Sequence, residues 1–429
     1  MPVVVLFIIF VALLVIAVPV SITLGITAVL PSVFDPSFTV GAKYLIRAMF
    51  GGLDSFPLLA VPMFVLSGII MAKGGISKKL FDVFAYFLGK FTAGMPCAVI
   101  VTCLFYGAIS GSAPATVAAV GSMTIPILSN LGYDLTFSTA IVAVAGGLGV
   151  IIPPSIPFIM YGMASGASVS DLFLAGIIPG LMIGILLMIY AIYHCRRYGE
   201  DKAKIHAEVQ ELHNKGLLKV LRESFFAILS PVIILGCIYS GVASPTEAAV
   251  ISVFYALIIS LFVYRSIHIR DIWGILVEAI RTFTPILFIL AASTAFSRVL
   301  TLMQVPQTVS EFILNNFHSP VAILLIINLF LLIVGMVMDT TPAILILTPI
   351  LLPIVQAIGM DPIQFDVMMV VNLAIGFVTP PIGVNLFVAS SLTDVPVMAI
   401  AKKAMPMIIF FLAALLLITF IPAISIGIL

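Results

Sequence analysis

The stretch GAISGSAPATVAAVGSMTIPILSNLGYDLTFSTAIVAVAGGLGVIIPPSI, residues 107–156, decides the fold, because it returns in altered form as GMVMDTTPAILILTPILLPIVQAIGMDPIQFDVMMVVNLAIGFVTPPIG, residues 335–383. Each copy opens on a glycine, reaches a small polar tip ahead of a proline (residues 110–114 and 339–342), passes a Gly-x-Asp turn and breaks an apolar helix at a double proline. Gly132 and Asp134 precede Gly359 and Asp361 by 227 positions, as Pro153 and Pro154 precede Pro380 and Pro381. The register holds farther out, with Pro179 and Pro406 at 227, and Pro57 and Pro285, Gly107 and Gly335 at 228. One nearly constant offset over such a length is a duplication.

Around these copies the 429 residues are 62% hydrophobic and only 9% charged, with a mean hydropathy of +1.30. A soluble core needs far less apolar surface, so the chain reads as an all-α polytopic membrane protein. Runs of about 20 apolar residues cross hydrocarbon, and such runs lie at 3–30, 56–72, 135–163, 172–193, 225–242, 248–263, 283–300, 365–389 and 405–426. The first lacks the basic start and small-residue cleavage site of a removable signal and reads as a retained helix. It is joined to the second by a polar loop. Residues 95–131 and 321–358 are interrupted at their centres by the polar tips and read as re-entrant hairpins.

With the amino terminus inside, hairpins that return to their own side and all other runs spanning, one side collects 16 of the 19 Lys and Arg residues. That imbalance follows the positive-inside rule. It places the first hairpin on the cytoplasmic face and the second on the outer face, so the repeat is inverted. The run 225–242 has no partner in the first half, and one extra span is what inverts the second copy. Six segments follow: residues 1–93, scaffold helices and interfacial arm; 94–170, first hairpin and broken helix; 171–224, a span and a charged cytoplasmic linker; 225–318, the extra span, scaffold and second arm; 319–395, second hairpin and broken helix; 396–429, the final span. The arms are residues 77–91 and 307–317, basic or polar and apolar at helical spacing.

Catalytic readings find little support. There is no HExxH, no phosphate-binding glycine loop and no GxSxG elbow, and an intramembrane hydrolase is the weakest alternative. His206 and His213, among lysines and glutamates, read as a solvated linker rather than a metal site; the four cysteines read as small buried hydrophobes. Ser244 and Glu247 form a capping box.

The breaks point to ions instead. In hydrocarbon, unpaired backbone is tolerated only where it is buried in protein or lines a wet cavity. There, helix amino ends suit a substrate carboxylate and free carbonyls suit a sodium ion, a hard cation that takes oxygen ligands. One Gly-Pro break reads as a kink in a packed helix; four breaks in two matched pairs read as a site. The first site comprises Ser110, Ser112, Gly149, Ile152 and Pro154. The second comprises Gly335, Thr340, Gly376, Thr379 and Ile382, with Asp339 as ligand or nearby charge. Substrate contacts are expected from Ser112, Pro154, Thr341, Asn385 and Arg298. For Arg298, the one basic residue within a span, three roles fit: meeting an anionic substrate, pairing with an acid such as Asp339, or snorkelling to an interface.

Residues 56–68 (FPLLAVPMFVLSG), 107–116 (GAISGSAPAT), 151–162 (IIPPSIPFIMYG), 244–249 (SPTEAA), 338–353 (MDTTPAILILTPILLP) and 379–387 (TPPIGVNLF) resemble the large membrane subunit of tripartite ATP-independent periplasmic (TRAP) transporters. The resemblance covers essentially the whole chain. It implies sodium-coupled uptake of an organic acid, such as a C4-dicarboxylate or sialic acid, across the bacterial inner membrane. It also implies an elevator movement of the hairpin domain in the ion transporter superfamily fold, a separate small four-helix membrane subunit, and a soluble periplasmic binding protein. The family's sodium ligands fall on the tip and break positions above. A single-chain sodium/dicarboxylate symporter and an ion channel are the alternatives; nothing points to nucleic acid.

Overall fold

Helices without a polar stripe are buried on every side, and the two at the centre of this molecule are of that kind. The computed structural model describes residues 3–16, 18–34, 38 and 41–429; among these there is no strand. The first half contains α1 (Val3–Val15), α2 (Val20–Phe34), α3 (Ala42–Leu53), α4 (Ala60–Lys73), α5 (Ile76–Leu88), the hairpin α6 (Gly94–Ser110) and α7 (Ala113–Asn130), the broken pair α8 (Leu135–Gly146) and α9 (Ile156–Ser165), and α10 (Val169–Tyr198). Next come α11 (Lys202–Asn214) and α12 (Leu217–Tyr239). The second half has α13 (Pro245–Ile258), α14 (Ile272–Leu302), α15 (Val305–Asn316), the hairpin α16 (Pro320–Val337) and α17 (Thr340–Ala357), the broken pair α18 (Pro362–Gly376) and α19 (Val384–Thr393), then α20 (Val397–Phe420) and α21 (Ala423–Ile426). Paired helices thus turn at the two polar tips and break at the two double prolines, and α5 and α15 occupy equivalent places ahead of them.

Three expectations change. Residues 3–30, read as one helix, form α1 and α2, separated ahead of Pro19, whose ring removes an amide donor. At about 1.5 Å per residue neither piece alone spans 30 Å of hydrocarbon. The polar loop expected next, of which residues 35–37 and 39–40 lie outside the described residues, contains α3, packed against α14. Gly52 permits this: a Cβ there would stand 2.7 Å from Thr294 Cβ. The charged stretch 194–223 is largely helical. Its α11 buries Ile205, Val209 and Leu212, and His213 stacks on Tyr86 of α5 with ring centroids 4.0 Å apart. Glu200 fastens the base of the first hairpin, accepting from the Ala93 amide at 3.0 Å and the Tyr133 hydroxyl at 2.5 Å.

Adding the repeat offset carries α2 onto α13 and α4 onto the carboxyl half of α14. The packings α4 on α13 and α2 on α14 are therefore one contact made twice. The same holds deeper in: α9 packs on α17 while α19 packs on α7, and α8 packs on α20 while α18 packs on α10. Each half-helix beyond a break belongs to the other repeat's hairpin. At the centre, α18 is buried continuously from Gln364 to Gly376.

The repeats are not identical. A polar network crosses the second only: Asn372 donates to Asn328 Oδ1 at 2.6 Å, Asn328 donates to Thr419 Oγ1 at 3.3 Å, and Gln364 donates to the Ile418 and Thr419 carbonyls at 3.0 Å. One repeat upstream, Ile100 and Ala145 stand in place of Asn328 and Asn372. The unpaired α12 packs on α5 and α13, where the Tyr255 hydroxyl donates to the Phe226 carbonyl at 2.7 Å.

The hairpins approach their broken helices through glycine. A Cβ on Gly107 would lie 2.7 Å from Gly149 Cα, and one on Gly335 would lie 3.3 Å from Gly376 Cα. A Cβ on Gly376 would fall on the Gly335 backbone, so Gly376→Ala is expected to destabilise the folded protein by about 1–3 kcal/mol. Gly236→Ala, where nothing lies within 4 Å, is expected to leave stability unchanged. Thermal melts of the detergent-purified variants check both. The inverted topology predicts that a cysteine at Glu311 reacts with an impermeant maleimide from outside intact cells, and one at Lys215 only after permeabilisation; the opposite pattern would overturn the orientation.

Candidate functional site: two hairpin tips against two broken helices

The first tip begins where α6 ends at Ser110. Gly111 takes the left-handed conformation (φ +61°) and Ser112 turns extended ahead of Pro114, so the chain reverses within two residues. The broken helix meets it directly: the Ile156 amide donates to the Gly111 carbonyl at 3.3 Å. Around this bond oxygens gather. Ser110 Oγ lies 2.9 Å from Thr116 Oγ1, and Thr116 Oγ1 donates to the Ser112 carbonyl at 2.8 Å. Gly149 faces the same carbonyl, where a Cβ would come to 2.9 Å, and a Cβ on Gly111 would lie 3.0 Å from the Pro154 carbonyl. After the peptide break at Pro153 and Pro154, Ser155 closes the turn by donating to the Val150 carbonyl at 2.5 Å.

Ser110, Ser112, Gly149 and Pro154 thus lie together at this junction. Ile152 lays its side chain against Gly180 of α10, and its amide is bonded to the Leu148 carbonyl at 2.9 Å. Thr116 joins the group without having been expected; the available signal was a hydroxyl one helical turn after Ser112.

The second tip repeats the frame with other chemistry. Met338 is extended, and Asp339 caps α17 by accepting from the Thr340 amide at 2.7 Å. The Ile382 amide donates to the Met336 carbonyl at 3.2 Å, which again ties a broken helix to its hairpin by one backbone bond, shifted from the repeat register, in which Gly383 answers to Ile156. Gly335 and Gly376 touch, and Thr379 Oγ1 donates to the Ile375 carbonyl at 2.8 Å. Thr340 and Thr341 are buried, whereas Asp339 and Ile382 are exposed. Asn385 is fully buried; its side chain donates to the Ala143 carbonyl of α8 at 3.0 Å, which places it on the seam between the two broken helices.

Two cavities lie between the scaffold helices and the hairpins. One, of 470 Å³, reaches Ser110, Ser112 and Pro114 of the first tip, with Lys73, Glu278 and Thr282 opposite. The other, of 390 Å³, lies between α14 and α17 and holds Arg298 with Ser55, Thr294, Ser297 and Thr301. Arg298 therefore does not share a cavity with Ser112, and no ion pair joins it to Asp339 among the described residues. Of the substrate contacts expected from sequence, Ser112 lines the first cavity, Arg298 the second and Asn385 the seam, whereas Pro154 and Thr341 line neither cavity.

Among the described residues, eight helices are long and apolar enough to cross a membrane. The family described as "Tripartite ATP-independent periplasmic transporter, DctM component" matches residues 7–424. The chain is 44% identical over 423 residues to the "Isethionate TRAP transporter permease protein DctMQ" of Oleidesulfovibrio alaskensis, a match covering 99% of this chain and 66% of that longer protein. It is 39% identical to the "C4-dicarboxylate TRAP transporter large permease protein DctM" of Pseudomonas aeruginosa, covering 88% of this chain and 87% of that one. It is 33% identical to the "Sialic acid TRAP transporter large permease protein SiaM" of Vibrio cholerae, covering 90% and 88%. Among solved structures, the YdaH transporter of Alcanivorax borkumensis, of unusual topology, superposes with a TM-score of 0.63 at 14% identity over 98% of each chain, a likeness of fold. These relatives are transporter permeases rather than enzymes, and the chain is a multi-pass protein of the bacterial inner membrane. It belongs to the family of the DctM component, the large permease of TRAP transporters.

Proposed function

We propose that the chain carries out sodium-coupled uptake of a small organic anion by moving its hairpins and broken helices as one body against the scaffold. The observation that carries this reading is the junction built twice, a polar hairpin tip bonded through one backbone amide to a broken helix, once from each face. The relatives' names bring isethionate, C4-dicarboxylates and sialic acid into range. All three are organic anions.

The donor set fits an alkali cation. At the first junction Ser110, Ser112 and Thr116 offer two hydroxyls and a carbonyl within hydrogen-bonding reach of one another, and the absent Cβ of Gly149 leaves space beside them. These residues, with Pro154, would hold one sodium ion; Gly335, Gly376, Thr379 and the neighbouring Asp339 would hold a second. Bound sodium would supply the coupling to its own gradient. The residues' own part is to gather hydroxyl and carbonyl oxygens at one point, each carbonyl with a second lone pair beside the bond it already accepts, in a setting where hydrocarbon offers none. The scaffold meets the hairpins through few polar links, one being the Tyr106 hydroxyl donating to the Gly68 carbonyl at 3.2 Å. Cavities on both sides of that boundary suit a sliding contact. Family membership supports two further components, a small membrane subunit and a periplasmic binding protein that delivers the anion.

Uptake of labelled succinate, isethionate or sialic acid into proteoliposomes tests the reading. It is expected only with an inward sodium gradient, the small subunit and the binding protein together. Uptake without the binding protein would favour a single-chain symporter, and uptake indifferent to sodium would sink the coupling. Ser110→Ala and Thr379→Val are each expected to raise the sodium concentration for half-maximal uptake by roughly tenfold, the loss of about 1.4 kcal/mol of binding, at unchanged expression. An unchanged sodium requirement in both would overturn the site assignment.

A further inference from the structure

The cavity under the first hairpin tip contains a charged pair that the sodium sites and the tips do not use. Lys73, the last residue of α4, sets its Nζ 2.6 Å from Glu278 Oε2 on α14. Both side chains are about half exposed, 44% and 49%. They line the same 470 Å³ space as Ser110, Ser112 and Pro114. Among the described residues, no other charged side chain lines it. Much of its remaining wall is apolar, including Val65, Ile69 and Ala118. An anion leaving the tip toward the cytoplasm therefore meets hydroxyls and then one ammonium.

The repeat adds a second observation. The offset that carries α4 onto the carboxyl half of α14 places Lys73 opposite Thr301, which lines the outer cavity one turn from Arg298. Each cavity thus has a cation near the end of a repeat-related scaffold helix, an arginine outside and a lysine inside. The inner one is matched by a carboxylate within bonding distance.

We propose that Lys73 is an anion subsite at the inner mouth, taking the carboxylate or sulfonate of the cargo on its way out of the tip, and that Glu278 is the competitor which displaces it. This rests on the organic-anion reading above. A lysine without a partner would retain the anion, since a charge-assisted hydrogen bond is among the stronger polar contacts. A half-exposed ion pair is worth only about 0–1 kcal/mol, so exchange between Glu278 and a passing carboxylate costs little in either direction. Lysine suits the role, being a point charge with three donors on a flexible stem.

Proteoliposomes of the full transporter, with the binding protein supplied outside and succinate, isethionate or sialic acid preloaded in the lumen, give the test. The readout is the luminal concentration that halves sodium-driven uptake of the same anion. Glu278→Gln frees Lys73 and is expected to lower this value about tenfold; Lys73→Gln is expected to raise it about tenfold, each corresponding to about 1.4 kcal/mol. Tighter retention in Glu278→Gln cannot arise from a misfolded protein. Shifts of the same sign, or an unchanged value in both variants, would mean that the pair only joins α4 to α14 and would overturn the subsite. Failure of the wild type to take up any of the three anions would instead remove the reading beneath it, and the subsite with it.

Discussion

The rest of the structure depends on a pair of backbone hydrogen bonds: Ile156 to Gly111 and Ile382 to Met336. A broken helix at mid-membrane leaves amides and carbonyls that hydrocarbon cannot satisfy, at several kcal/mol each. A re-entrant hairpin has the same difficulty at its tip. Placing each tip against a break lets one defect satisfy part of the other. The glycine contacts, Gly107 with Gly149 and Gly335 with Gly376, exist because the backbones must approach this closely. The match also gathers a small set of oxygens, the Ser110 and Thr116 hydroxyls and the Ser112 carbonyl, within bonding reach of one another.

Inverted repetition produces this arrangement twice while leaving the chemistry of each copy free to drift. The first tip presents hydroxyls, Ser110 and Thr116; at the position matching Thr116 the second has Ala343, and it carries Asp339 instead. The second repeat also has the amide network of Asn328, Asn372 and Gln364, which pins α18 to α16 and α20, where the first repeat has Ile100 and Ala145 and stacks Phe137 of α8 on His194 of α10. A frame that is symmetric in backbone and asymmetric in side chains can hold similar ligands with unequal strength on its two faces.

Legibility from sequence followed the range of the physics. Glycine and proline act on their own backbone, so the tips, the breaks and the capping box at Ser244 and Glu247, present as predicted, could be read residue by residue. Repetition then supplied the topology. Thr116 was invisible because a threonine bonding back within its own helix looks the same at Thr124, which has no such site around it. Lys73 and Glu278 lie 205 positions apart, and nothing local joins them. Arg298 was legible as an anomaly within a span but not as the occupant of a separate cavity. The division of α1 from α2 was missed because hydropathy is blind to a break whose flanks are equally apolar.

The exchange of half-helices between repeats bears on how the chain is made. The partner of α9 is α17, and Thr340 lies 175 positions after Ser165. At ordinary synthesis speeds of about 5–20 residues per second, the first broken helix therefore waits on the order of tens of seconds in the membrane without the surface that will cover it. During that interval it has only first-half neighbours, the first hairpin through Gly111, α10 and the Phe56–Leu59 turn, for shelter. The early half of the protein thus stays incomplete until the second repeat arrives, and that arrival covers the half-helices of both repeats.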